Sequence, residues 1–238
     1  MRKVLMIILL AVFLVSAWMT LGHIYHEHVM EAASSRARDV LQTAGENSSP
    51  ASGPDFEALR AAFGNDDIVA RLLIEGTTID YLVLQGSDNE FYLYHDIWQN
   101  PTPSGWIFLD YEADIRGGSQ NWVIYGHNMQ RDHKFHSLRR YRDYAFLLDH
   151  PEITLTTPYG VYNWEIFSFY QTHIEFAYNQ ANFGGREEWA DMLERFAQLS
   201  IHDTGVEVTA DDRILTLSTC TNRHRDERYV LHARLKRD

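Results

Sequence analysis

Cysteine is nearly missing from this chain. Cys220 is the single one in 238 residues, so no internal disulfide can form. Basic charge is in deficit: 21 Lys and Arg against 33 Asp and Glu give a formal net charge of −12. That excludes nonspecific nucleic-acid binding, which needs a basic face to neutralise phosphates. No glycine-rich phosphate loop is present. His133 and His136 stand three apart, but with Asp132 and the other histidines they give no zinc-like ligand set, and there is no dedicated acidic cage for calcium. No metal and no cofactor are therefore expected. Internal repeats are absent, and long apolar runs are confined to one place.

That run is Val4 to Leu21, apolar apart from Ser16 and Thr20 and just long enough to cross a bilayer as a helix. Arg2 and Lys3 precede it, and the next basic side chains are Arg36 and Arg38. The positive-inside rule then puts the N-terminus in the cytoplasm and the remainder outside the cell membrane. Val15-Ser16-Ala17 leaves a cleaved signal peptide as the alternative, and both readings export the domain. Three parts are expected: an anchor over 1–28, a juxtamembrane segment and linker over 29–54, and a globular domain over 55–238. Residues 29–41 suit a short helix, and 42–54 are small, polar and tether-like.

From Asp55 onward the pattern is globular. Asp55 to Phe63 reads as a capped helix stopped by Gly64. Strand-like runs follow at Ile68–Ile74, Tyr81–Gln85, Phe91–His95, Trp106–Tyr111, Trp122–Tyr125, Ile153–Thr157, Tyr162–Tyr170, Arg213–Thr219 and Arg228–Leu235. Phe135, Leu138, Tyr141, Ala145 and Leu148 recur at helical spacing before Pro151, and Trp189, Met192 or Leu193, Phe196 and Leu199 form a second helical stripe. Many short strands and few helices predict a closed or nearly closed barrel.

A lone cysteine is more commonly an inert core thiol than a nucleophile. In Arg213-Ile214-Leu215-Thr216-Leu217-Ser218-Thr219-Cys220, period two places Leu215, Leu217 and Thr219 on one face. Thr216, Ser218 and Cys220 fall on the other, less greasy one. If this strand pairs antiparallel with the one starting at Arg228, Cys220 and Arg228 flank a seven-residue hairpin loop, about 4.8 Å apart across the pair. A thiol near pKa 8.5 needs activation, and acyl transfer to an amine needs a proton donor. With 12 histidines, spacing alone leaves His127, His133, His136, His224 and His232 open. His127 is favoured because it follows a strand and Gly126.

Thr216-Leu217-Ser218-Thr219-Cys220 resembles the nucleophile motif of the sortases, Tyr125-Gly126-His127-Asn128 their histidine motif, and Arg228-Tyr229-Val230 their arginine strand. Asp80 to Gly86 with Asp88-Asn89, Gly105 to Asp110, and the helix at 186–200 are similar to class B segments. The resemblance covers about residues 68–236. It implies a mainly β fold with peripheral helices: a sortase-type closed eight-stranded β-barrel preceded by a transmembrane helix. It implies a cysteine transpeptidase in which Cys220 attacks the carbonyl of a threonine in a sorting signal. His127 exchanges protons with the leaving and incoming amines, and Arg228 stabilises the oxyanion or positions substrate; a surface ion pair with Asp226 or Glu227 is its plainer alternative. Asn89, Tyr178 and Ser218 match substrate-contacting positions, against ordinary loop packing, and Ile174 to Phe183 should be a loop and short helix walling the groove. Thr221 departs from relatives that carry an acid after the cysteine. The implied partners are sorting-signal-bearing surface proteins and a peptidoglycan precursor or cross-bridge amine. A pilus-polymerising sortase using a pilin lysine, a hydrolytic protease, and a noncatalytic surface-binding module are the competing readings.

Overall fold

The computed structural model describes residues 2–47, 55–129, 134–220 and 226–237. Expectations placed on His133, Thr221 and His224 lie outside these residues, as does most of the tether, whose first residues, 42–47, continue a helix instead. Helix α1 (Arg2–Asn47) runs unbroken through the apolar segment and the juxtamembrane stretch. It is about 69 Å long at 1.5 Å per residue. Lys3–Gly22 has mean hydropathy 2.7 and none of it is buried by the protein. Further along, Ala33 is buried and Val40 packs against the barrel core.

Helix α2 (Phe56–Phe63) starts where Asp55 accepts hydrogen bonds from the backbone N–H of Glu57 and Ala58, and stops at Gly64, whose φ of 62° favours glycine. Eight strands follow: β1 (Ile68–Leu73), β2 (Asp80–Leu84), β3 (Phe108–Leu109), β4 (Asn121–Tyr125), β5 (Glu152–Thr157), β6 (Gly160–His173), β7 (Ile214–Cys220) and β8 (Glu227–Leu235). They close into one barrel in the order β1-β2-β3-β4-β7-β8-β6-β5. Strand β4 lies parallel to β7, and β7 antiparallel to β8. Leu215, Leu217, Leu231, Trp122 and Ile124 share the interior core. On the outside, helix α4 (Arg186–Leu199) lays Trp189, Leu193 and Phe196 against a second apolar cluster with Phe167, Tyr170 and Val230.

Three segments depart from expectation. Phe91–His95 is no strand: Phe91–Leu93 is a turn of 3-10 helix. The Asp88 carboxylate accepts from the backbone N–H of Glu90 and Phe91, both at 2.8 Å, and this local cap turns the chain despite its aromatic content. The helix expected through Leu148 is split into a 3-10 segment (Phe135–Arg142) and α3 (Tyr144–Asp149). Asp143 is extended between them and caps the second piece through Ala145 N–H. Residues 174–185 contain no helix. Their backbone is held instead by side chains from the neighbouring strands.

Candidate active site

Three adjacent strands meet at one rim of the barrel. In the β4–β7 register Tyr125 pairs with Ser218, and Gly126 N–H donates to the Ser218 carbonyl at 3.1 Å. His127 and Cys220 each lie two residues further on, so they reach the rim level with one another. Across the β7–β8 ladder Cys220 is the direct partner of Arg228. The backbone thus lines up His127, Cys220 and Arg228 on neighbouring strands spaced about 4.8 Å apart. The Cys220 thiol is outside the described side chains.

Gly126 is dictated by packing. A Cβ there would sit 2.4 Å from Ile107 and 2.8 Å from Phe135, too close for any side chain. The His127 ring is partly buried, and its Nε2–H donates to the Leu93 carbonyl at 2.9 Å, which leaves Nδ1 as the titrating nitrogen. Burial pushes the His127 pKa below its ordinary 6.5, the Leu93 hydrogen bond works against that, and the nearby charges of Lys134 and Arg228 add to the lowering. Lys134 is fully buried, with its ammonium bonded to the Ser104 and Gly105 carbonyls, and burial lowers its pKa to about 7. The Arg228 guanidinium donates to the Glu227 carbonyl at 3.0 Å.

A cavity of about 330 Å³ opens at this rim, lined among others by Asn89, His127, Tyr178, Ser218 and Arg228. Asn89, His127, Tyr178, Ser218 and Arg228 therefore face one space, whereas the alternative histidines His136 and His232 do not, and Thr219, the residue before Cys220, lines it too. Tyr178 and Ser218 are hydrogen-bonded to each other at 2.8 Å. Asn89 is engaged with the protein itself: its amide donates to Asp110 Oδ2 at 2.8 Å, and its oxygen accepts from Tyr111 N–H at 3.1 Å. Asp110 also accepts from the Tyr125 hydroxyl at 2.8 Å, and the Asn179 amide donates to that hydroxyl at 3.2 Å. Desolvation and the Asp110 charge push the Tyr125 phenol far up, so it stays a neutral donor. Sequence reasoning missed Asp110, Tyr125, Asn179 and the Leu93 carbonyl. The motif containing Tyr125 was visible, but the partners that give it meaning are remote in sequence. A larger cavity, about 470 Å³ around Phe167, His202 and Glu207, contains none of the candidate residues.

The family model described as Sortase domain matches residues 72–236. The chain belongs to the sortase family. Its curated relatives are of class B: sortase B of Listeria monocytogenes is 34% identical over 219 residues, covering 92% of this chain and 89% of that protein. Sortase B of Staphylococcus aureus is 32% identical over 184 residues, covering 76% and 75%. Among solved structures, a substrate complex of S. aureus sortase B superposes with a TM-score of 0.81 at 27% identity, covering 91% of this chain and 99% of that one. Sortase B from Bacillus anthracis gives 0.78 at 29% identity, covering 92% and 99%. This sortase is thus a class B cysteine transpeptidase on a closed eight-stranded barrel, with an N-terminal apolar helix consistent with a membrane anchor. Sortases in general act on surface proteins.

Proposed function

We propose that this enzyme cleaves a C-terminal sorting signal after threonine and transfers the acyl group to a peptidoglycan amine, anchoring surface proteins to the cell wall. The observation that carries this reading is the rim register: His127 just past the end of β4, level with Cys220 on β7 and Arg228 on β8. In the first half-reaction the Cys220 thiolate attacks the threonine carbonyl carbon. A C–S bond forms and the C–N bond breaks, while His127 gives its Nδ1 proton to the departing amine. In the second, an amine attacks the thioester and surrenders a proton to His127; the new C–N bond forms as C–S breaks, restoring the thiolate. The depressed His127 pKa makes its imidazolium a readier acid than an exposed one, at the cost of being scarcer. Arg228 stabilises the oxyanion or holds the peptide, and its fixed charge suits either task. Asn89, Tyr178 and Ser218 line the peptide groove, which favours transfer over hydrolysis by excluding water from the thioester. The helix over Lys3–Gly22 anchors the chain with its N-terminus in the cytoplasm and the barrel outside.

The test is to incubate the full chain in detergent with quenched fluorogenic Pro-x-Thr peptides, with and without an amine acceptor, and to read products by mass. Cleavage after Thr with amine-dependent ligation, abolished in Cys220→Ala, is expected. Hydrolysis without ligation by any amine would turn the reading towards a protease, and ligation to a lysine peptide alone towards pilus polymerisation.

A further inference from the structure

The segment 174–185 between β6 and α4 forms one wall of the groove through Tyr178 and Asn179, yet it has no regular secondary structure to hold it. Its support comes from the opposite end of β4, the strand that leads to His127. Asn121 is fully buried. Its side-chain amide donates to the carbonyls of Tyr178 at 3.1 Å and Gln180 at 2.9 Å. Its backbone N–H donates to Ala181 at 3.1 Å. One residue thereby satisfies three groove-wall carbonyls within four residues, at positions 178, 180 and 181. Next to it, the Gln120 side-chain oxygen accepts from Phe183 N–H at 2.7 Å.

Behind Asn121 the hydrogen bonds run in one direction. Both amide hydrogens face carbonyls, so the amide cannot be flipped without setting oxygen against oxygen. Its Oδ1 accepts from the Thr216 hydroxyl at 2.6 Å. That spends the only proton of Thr216, so the 2.8 Å contact to His232 must be donated by Nδ1–H. His232 Nε2 is then an acceptor and takes the Tyr170 hydroxyl proton at 2.8 Å. The ring is stacked on Phe196 of α4 at 4.0 Å. Complete burial lowers the His232 pKa to about 3, in keeping with the neutral form that this order of bonds requires. Every member is paired, and the relay ends on Asn121.

We propose that Asn121 is a positioning residue for substrate recognition: it clamps the groove wall onto the outer face of the sheet and sets where Tyr178 meets the bound peptide. The inference rests on the transpeptidase reading of the site. Asn121 reaches neither the cavity nor the reacting atoms, so its effect passes through the wall.

The test uses the full chain in detergent, wild type beside Asn121→Ala and Asn121→Asp. The Asp variant keeps size and acceptor but loses both donors; should it not fold, the Ala variant decides. The substrate is the Pro-x-Thr fluorogenic peptide that the wild type cleaves fastest. KM is expected to rise about tenfold while kcat stays within about threefold, as for lost binding rather than lost chemistry. Labelling of Cys220 by a small methanethiosulfonate should keep its wild-type rate, and amide hydrogen exchange over 176–183 should quicken while that of β7 does not. A parallel fall in kcat and labelling at constant KM, or unchanged exchange over 176–183, would overturn the proposal. If the wild type cleaves no peptide, the functional reading is what has failed, and the exchange measurement still decides whether Asn121 holds the wall.

Discussion

The β4–β7–β8 sheet is buried on both faces, and the outer face differs in mixing paired polar groups into its apolar packing. Its inner face carries Trp122, Ile124, Leu215, Leu217 and Leu231, a purely apolar contribution to the barrel core. Its outer face sets polar groups among apolar ones such as Ile214 and Val230: Asn121, Thr216 and His232 are joined by hydrogen bonds that leave little choice of direction, and Ser218 is bonded to Tyr178, each of the four at most 1% exposed. Apolar packing is nondirectional and supplies stability in proportion to area. Paired polar groups in a dry layer add little net stability but fix geometry, because an alternative arrangement strands a donor or an acceptor. The inner face keeps the barrel folded. The outer face decides where the groove wall sits relative to the rim.

The sharpest way to break this contrast is to damage each face in turn. Leu217→Ala removes buried methyl groups from the inner face and should cost about 3–4 kcal/mol, a fall in Tm of roughly 6–15 °C, while KM of the folded enzyme stays near wild type. A KM increase as large as that of an outer-face variant would erase the distinction. Thr216→Val preserves shape but leaves Asn121 Oδ1 and His232 Nδ1–H unpaired. It should cost about 2–3 kcal/mol in denaturant unfolding and raise KM as well. A stability equal to wild type would mean the relay is not closed as described.

Acid should act on the outer face before the inner one. The folded pKa of His232 is about 3, against about 6.5 when unfolded. Between these values the unfolded chain binds a proton that the folded chain refuses. The His232 contribution is therefore complete above pH 6.5 and declines as pH falls, by about 1.4 kcal/mol per unit, or roughly 2 kcal/mol from pH 6.5 to 5. Urea midpoints at the two pH values should show that loss in wild type and a smaller one in His232→Phe. Equal slopes would place the pH sensitivity elsewhere. The mildest change is Tyr178→Phe, which removes the hydrogen bond to Ser218. A loss of about 1 kcal/mol, read as a few-fold rise in KM with an unchanged kcat, is expected.

Much of the barrel could be read before any coordinates. The two-residue period of Leu215, Thr216, Leu217 and Ser218 separates the faces, and the short chain from Cys220 to Arg228 permits the pairing observed. Signals of this kind are local, and local chemistry is what a sequence displays directly. The errors were also local contests that composition could not judge. Aromatic content suggested a strand over Phe91–His95, where the Asp88 cap imposes a 3-10 turn that brings the Leu93 carbonyl to His127. Apolar spacing suggested one helix through Leu148, where Asp143 caps a new one instead. Asn121 gave no sign at all. It is one polar residue at the start of an apolar strand, and its partners lie 57 and 59 residues away. A residue whose role depends on such distant carbonyls becomes legible only once the barrel has closed.

The most direct test of the account is to trap the first intermediate. The full chain would be mixed with an excess of a cleavable Pro-x-Thr peptide, quenched in acid within one turnover and weighed intact. A mass gain equal to the peptide fragment ending at Thr, mapped to Cys220 after digestion, is expected. That adduct should be lost, with formation of ligated product, when an amine is added before the quench. Cleavage of the peptide by Cys220→Ala, or an adduct mapped to another residue, would contradict the account.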